Sequence, residues 1–161
     1  PKWTFIIIGT SKAGQKKLKT KYKKNVVESF QSYGKQTKYL GFIANTKVKK
    51  IMQSSSILVV PSIWDDPFPL TALEGLSSGQ AVISSDRGGL KEMLKNTGVL
   101  INNINDRKLE RALHKLMSDK KKLLNIQNKA WKNFKYDQKN ISKKQDLMRK
   151  QIYNNFLIQK S

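Results

Sequence analysis

Short runs of β-branched and aromatic residues alternate along this chain with segments whose apolar residues recur at helical spacing. Trp3 to Ile8 is such a run, apolar on both faces as a central parallel strand must be, and Gly9 ends it. From Gln15 to Tyr33, Leu18, Tyr22, Val26, Val27 and Phe30 fall near helical spacing, and Gly34 stops the helix. Thr37 to Phe42 reads as the next strand, followed by a short helix with Val48, Ile51 and Met52 that Asn45 or Thr46 can cap. SILVVPS is a third strand. Phe68 to Ser78 is a helix with Pro69 near its first turn and Gly79 just past its end. AVISS is a strand, RGG a turn, Leu90 to Lys95 a short helix and GVLIN a strand. Asp106 can then cap a helix from Arg107 to Met117.

Strand–helix alternation with short links predicts an α/β fold, a Rossmann-like, mostly parallel sheet with helices on both faces. In such sheets ligands sit beyond the carboxyl ends of the strands. That rule selects four loops: Gly9 to Gln15, Gly41 to Asn45, Pro61 to Pro69 and Ser85 to Gly89. The chain's 161 residues suit one core. The α/β part is expected over residues 1–118. Residues 119–161 are Lys-rich and strand-free, with apolar stripes at Leu123, Leu124, Ile126 and Trp131, then Ile141, Leu147, Ile152, Tyr153 and Phe156. They read as helices packed on the domain's flank or on a neighbouring domain. A basic amphipathic helix on an anionic membrane is the sharper reading of the same pattern. Pro1 stands where a Met would open a chain, and it runs within a few residues into a strand, so an upstream piece is expected.

The formal charge of +21, from 32 Lys and Arg against 11 Asp and Glu, suggests attraction to nucleic acid, an anionic membrane or a phosphorylated ligand. Arginine occurs only at Arg87, Arg107, Arg111 and Arg149, however, and selected phosphate sites favour its planar fork. The charge therefore reads mainly as a solvated basic surface. The aromatics fall in predicted strands and helix stripes rather than among exposed lysines, which argues against a nucleic-acid partner. With no cysteine, disulfide scaffolds, Cys-ligated zinc and cysteine catalysis are excluded. Metal-ligand spacing is absent from the sequence, and no apolar run approaches the ~20 residues of a membrane span. His114 reads as an ordinary helix-surface residue, Asp106 and Asp119 as caps, and Trp3, Trp64 and Trp131 as packing residues, with Trp64 also able to border a ligand pocket.

Two of the four strand-end loops fall within PSIWDDPFPLTALEGLSSGQAVISSDRGGLKE, residues 61 to 92. Asp66 ends a proline-rich loop, and Glu74 lies eight positions on, in the following helix. The N–H groups of Leu70 and Thr71 open that helix, and helix N-termini attract anions, above all phosphate. Carboxylates repel phosphate, so Asp66 and Glu74 address neutral hydroxyls such as those of sugars. Gly88 and Gly89 form a second backbone-rich turn, with Arg87 a possible phosphate or carboxylate partner. Amides, a guanidinium and carboxylates in adjoining loops match a nucleotide sugar. The plainer reading of the same spacing is that Asp65 and Asp66 merely initiate a turn and Glu74 sits on a helix surface.

This run resembles the donor-binding signature of the retaining GT-B glycosyltransferases of family four, PSxxEPFGLxxLEAMAxGxPVIAxxxGGxxE. WTFIIIG is similar to the strand before the donor loop, TKYLGFI to the strand whose end meets the base, and NFKYDQ to a Phe-x-Trp segment before the last helix. The resemblance implies the C-terminal, donor-binding half of a GT-B fold, and a complete enzyme that moves a hexose-like sugar with retention to a lipid-linked or polysaccharide acceptor. It also implies no cofactor, with the nucleotide-diphosphate sugar as substrate, and a cytoplasmic location, peripheral on the inner face of the membrane.

Residue by residue, Asp66 matches the first Glu of the family's Glu-x7-Glu motif, which contacts the transferred sugar and stabilises its developing positive charge. Glu74 matches the second Glu, which binds the ribose hydroxyls. Phe68, Pro69, Leu70 and Thr71 take the backbone segment that meets sugar and diphosphate, and Phe42 and Ile43 the place that cradles the base. Asp66 is one methylene shorter than the usual Glu, so that either Asp65 or Asp66 can face the sugar. Pro69 replaces a Gly and lacks an N–H, which points to altered sugar preference. The family's upstream strand with its Arg/Lys diphosphate segment, and the N-terminal domain through which it binds the acceptor, have no counterpart here, and that strand normally lies between those assigned to Trp3–Ile8 and Ile57–Val60. The expectation is a sheet split at that point unless the two strands close up or a partner chain fills the gap, and a chain inactive by itself. A basic α/β module for nucleic acid or another polyanion, and a sugar-nucleotide phosphorylase or epimerase, are the alternatives.

Overall fold

A computed structural model describes residues 3–12, 34–136 and 138–158, together with Lys21, Asn25, Glu28, Ser29 and Ser32. The chain forms two units, Pro1–Ser55 and Ser56–Ser161.

In the first unit, β1 (Phe5–Lys12) pairs in parallel with β2 (Thr37–Phe42). The register runs from Phe5 opposite Thr37 to Ile7 opposite Tyr39, then slips so that Ile8 faces Gly41. β1 thus continues through Gly9 to Lys12, past the stop expected at Gly9. Glycine's freedom at φ 118° lets the strand bend there without ending. β2 has the expected bounds. Helix α1 (Asn45–Ser54) starts one residue earlier than a cap at Asn45, and two earlier than a cap at Thr46, would require: Ala44 is the capping residue and supplies no side-chain bond. The helix expected over Gln15–Tyr33 lies largely outside the described residues; Lys21, Asn25, Glu28, Ser29 and Ser32 within it are helical.

The second unit holds a separate parallel sheet of β3 (Ile57–Val60), β4 (Ala81–Ser85) and β5 (Val99–Ile101), in that order. β4 is central and every residue in it is buried, as a strand with neighbours on both edges and helices on both faces must be. Helix α2 (Leu70–Ser77) links β3 to β4, and α3 (Gly88–Leu94) links β4 to β5. Helices α4 (Asp106–Ser118), α5 (Lys120–Lys132) and α6 (Gln138–Ile158) follow. The core joins Ala72 and Leu76 of α2, Val82 of β4, Leu90, Met93 and Leu94 of α3, and Ala130 of α5, with Leu58, Val60, Leu100, Phe134 and Tyr136 packed around them.

Several helix boundaries differ from expectation, each for a local reason. α2 begins at Leu70, with Pro69 as its cap, because Pro67 and Pro69 hold the chain extended and keep Phe68 out of the helix. Gly79, at φ 74°, ends it as expected. The RGG turn is a helix start: Arg87 is the cap, and Gly88 and Gly89 belong to α3. α4 is capped by Asn105, whose side chain accepts the Lys108 N–H, so Asp106 is already in the first turn. Asp119 caps α5 by accepting the Lys122 N–H.

Of the expected C-terminal stripes, Leu123 is buried, while every residue from Lys139 to Tyr153 in α6 is exposed, Ile141, Leu147 and Ile152 included. Trp64 and Trp131, expected to pack, are 77% and 69% exposed. His114 is exposed on α4. Among the described residues no helix is long and apolar enough to cross a membrane.

Candidate functional site

Ser84 and Ser85, at the end of β4, anchor the loop that leaves β3. The Ser84 hydroxyl donates to the Val60 carbonyl at 2.7 Å and the Ser85 hydroxyl to the Ser62 carbonyl. Both serines are fully buried, so each hydroxyl needs such a partner. These bonds fix the start of the 61–69 loop against the sheet.

The far end of that loop is locked to the start of α3. The Asp65 carboxylate accepts the Gly88 N–H at 3.0 Å, and the Asp66 carbonyl accepts the Gly89 N–H at 2.8 Å. The backbones approach so closely that a Cβ on Gly88 would press on the Asp65–Asp66 peptide and one on Gly89 on the Pro67 carbonyl. Gly88 also sits at φ 48°, where a side chain is strained. The Arg87 guanidinium lies 3.9 Å from the Asp65 carboxylate, an ion pair more than half exposed and therefore worth little energy. The amides of Gly88 and Gly89, which the sequence reading offers to phosphate, are thus engaged by the neighbouring loop.

Asp66 has a different environment. One of its carboxylate oxygens accepts the Phe68 N–H at 2.9 Å, which turns the chain toward α2. The other makes no bond among the described residues, and the side chain is half-buried. Asp65, by contrast, spends its carboxylate on Gly88 and Arg87. Glu74 is exposed on the second turn of α2 with no partner among the described residues. The carbonyl of buried Pro69 accepts the N–H groups of Ala72 and Leu73, which leaves those of Leu70 and Thr71 outside the helical ladder, and both residues are exposed.

Phe68 is held from behind by a residue 68 positions away. Its ring meets the edge of Tyr136 at 5.8 Å between centroids, and Tyr136 meets Phe134 at 6.2 Å, both T-shaped. Burial, and secondarily the Glu92 carboxylate, hold the Tyr136 phenol above its ordinary pKa. The NFKYDQ segment marks these aromatics in the sequence, but their contact with Phe68 has no local signal there.

Asp66, Phe68, Pro69, Leu70, Thr71, Glu74, Arg87, Gly88 and Gly89 all lie in the second unit, on the two interlocked loops and the helix between them. Phe42, 63% exposed at the end of β2, and half-buried Ile43 belong to the first unit. Among the described residues no three His, Cys, Asp or Glu side chains gather as a metal site requires.

The sequence profile described as "Glycosyl transferases group 1" matches residues 1–133. The chain is 32% identical over 109 residues to the uncharacterized glycosyltransferase MJ1607 of Methanocaldococcus jannaschii, a match over 65% of this chain and 28% of that protein. It is 24% identical over 141 residues to the lipopolysaccharide 1,2-N-acetylglucosaminetransferase of Salmonella typhimurium, over 80% of this chain and 37% of that one. The chain therefore spans about a third of the length of the curated relatives it matches. Among solved structures, Anabaena HepE in complex with UDP superposes with a TM-score of 0.75 at 20% identity, over 95% of this chain and 42% of that one. The C-terminal domain of LpcC, a group 1 family glycosyl transferase from Francisella tularensis, superposes with a TM-score of 0.67 at 26% identity, over 81% and 67%. The chain belongs to the group 1 glycosyl transferases and has the fold of their C-terminal domain.

Proposed function

We propose that this chain is the nucleotide-sugar-binding part of a retaining glycosyltransferase that moves a hexose-like sugar to a lipid-linked or polysaccharide acceptor. The observation that carries this reading is the pairing of half-buried Asp66, with one carboxylate oxygen uncommitted, and exposed Glu74 on the helix that the same loop enters. In this reading Asp66 meets the hydroxyls of the transferred sugar and Glu74 the ribose. The free N–H groups of Leu70 and Thr71 meet the diphosphate. Phe68 and Pro69 shape the sugar contact, Arg87 adds positive charge, and Phe42 and Ile43 border the base. The nucleotide sugar is a substrate, and the reaction takes no resident cofactor.

The relatives support the substrate classes. HepE is solved with UDP-glucose, and a Campylobacter jejuni relative is an N-acetylgalactosaminyltransferase named for a diphospho-undecaprenol substrate. Because the chain covers about a third of such relatives, donor binding is assigned to this chain and transfer to the complete protein. The basic surface, with the exposed lysines of α6, supports a cytoplasmic enzyme lying peripherally on anionic lipid. Calorimetry with UDP and UDP-glucose tests the donor assignment. Saturable binding that Glu74→Ala weakens at least about tenfold is expected; polyanion binding that is salt-sensitive and indifferent to Glu74→Ala would instead favour a nucleic-acid module.

A further inference from the structure

From Lys120 to Tyr136 the chain carries six lysines and no acidic residue. Most of that stretch is α5, whose inward face is set by Leu123 and Ala130, both buried in the second unit. Each has a neighbour one position on, Leu124 and Trp131, turned about 100° around the helix axis and facing out. Leu124 is 47% exposed, and seven residues make about two turns, so it shares one stripe with Trp131.

Lys120 heads the same stripe, and Lys121, Asn128 and Lys132 run along its edge. All four are exposed, and none of the three lysines forms an ion pair among the described residues. The Trp131 ring meets no other aromatic ring among them, and its indole N–H has no acceptor there. The opposite side of α5 holds the helix to the core without these groups.

Charge and area select what covers the stripe. A second copy brings the same charge of +21, which opposes association. A stable protein interface buries about 800 Å² on each partner and keeps lysine out of its centre, which two apolar side chains headed by a lysine do not supply. Nucleic-acid phosphates suit the lysines and leave Leu124 in water. An anionic bilayer answers both features. The indole has an apolar body and a polar edge suited to headgroup depth, Leu124 reaches the acyl boundary, and the lysine stems extend along the flank to the phosphates. A small apolar area is enough there, because each lysine near an anionic surface adds to the attraction.

We propose that the Leu124–Trp131 face of α5 is the surface by which the protein lies on anionic lipid. This contact gives the peripheral location proposed above a defined helix and rests on that reading. The test is co-sedimentation of the 161-residue chain with vesicles of equal parts phosphatidylcholine and phosphatidylglycerol, and with vesicles of phosphatidylcholine alone. Binding to the anionic vesicles is expected, weakened at least about tenfold by Trp131→Ala and about fivefold by Lys120→Ala. Ile141→Ala with Ile152→Ala, on α6, leaves it unchanged. Indole fluorescence shifts to the blue on binding in wild type and in Trp64→Phe, and the shift is lost in Trp131→Phe. If Trp131→Ala fails to fold, Lys120→Ala decides, since that side chain is exposed and unpaired. Anionic-vesicle binding that Trp131→Ala and Lys120→Ala leave intact overturns the assignment to α5 and keeps the peripheral location. No binding to anionic vesicles, or equal binding to neutral ones, overturns both, while UDP titrated without vesicles reports donor binding by itself. Tighter binding to an RNA oligonucleotide than to anionic vesicles, or a dimer in sedimentation velocity that Trp131→Ala dissolves, also overturns the lipid contact.

Discussion

The Asp65 carboxylate accepts the backbone N–H of Gly88 at 3.0 Å, and through that bond the loop after β3 caps the helix after β4. Neither residue has a local reason to be where it is; each is held by the other. Asp65→Ala is expected to cost about 1–2 kcal/mol by leaving the Gly88 amide without its acceptor. Asp65→Asn keeps an acceptor oxygen and is expected to cost less. Gly88→Ala adds a Cβ against the Asp65–Asp66 peptide at a left-handed φ and is expected to cost at least about 2 kcal/mol. Urea unfolding of the three variants checks the order Asp65→Asn, Asp65→Ala, Gly88→Ala.

Glu74 is exposed and makes no bond among the described residues, so its removal separates binding from folding. Glu74→Ala is expected to leave unfolding within about 0.5 kcal/mol of wild type. The same substitution is expected to weaken UDP binding at least about tenfold, since each ribose hydroxyl bonded to a carboxylate is worth about 1.5–3 kcal/mol. A parallel loss of stability in thermal unfolding would show that Glu74 is structural.

Tyr136 links Phe68 to the core. Tyr136→Ala is expected to destabilise by about 2–4 kcal/mol, and Tyr136→Phe by much less because the ring contacts remain. The raised phenol pKa has a definite sign in pH. Folding keeps the proton on Tyr136 above the pH at which the unfolded chain loses it, about 10. The stability linked to the neutral phenol is therefore complete below that pH and is lost as pH rises through the folded-state pKa. Urea midpoints measured across this alkaline range should fall more steeply for wild type than for Tyr136→Phe.

Two adjacent residues compete to cap α4, and the structure chooses Asn105. Asn105→Ala is expected to cost about 1 kcal/mol, and Asp106→Ala only a few tenths through the lost charge near the helix start. Equal effects in chemical denaturation would contradict the assignment.

Gln80 is fully buried, and its amide oxygen has no partner among the described residues. Gln80→Met keeps the length and removes the unsatisfied oxygen, so it is expected to stabilise by about 1 kcal/mol, read as a higher melting temperature.

The sequence by itself determined the class of fold and the family. Apolar periodicity is local, so β2 and β4 were legible to the residue, and the loop–helix run from Pro61 to Gly89 identified the family's donor signature with Asp66 and Glu74 in it. Helix ends were less legible. Asn105 and Asp106 are both competent caps, and backbone geometry alone separates them.

Tertiary structure decided what each residue of the run does. Asp65 and Gly88 are 23 positions apart and Phe68 and Tyr136 are 68 apart, so no window along the chain contains either pair. Their meeting turns one of two adjacent aspartates into a strut and leaves the other with an uncommitted oxygen. It also turns a glycine pair from an open turn into the start of a helix. Hydrogen bonds between loops are fixed by which strands lie side by side, and strand order exists only once the sheet has formed.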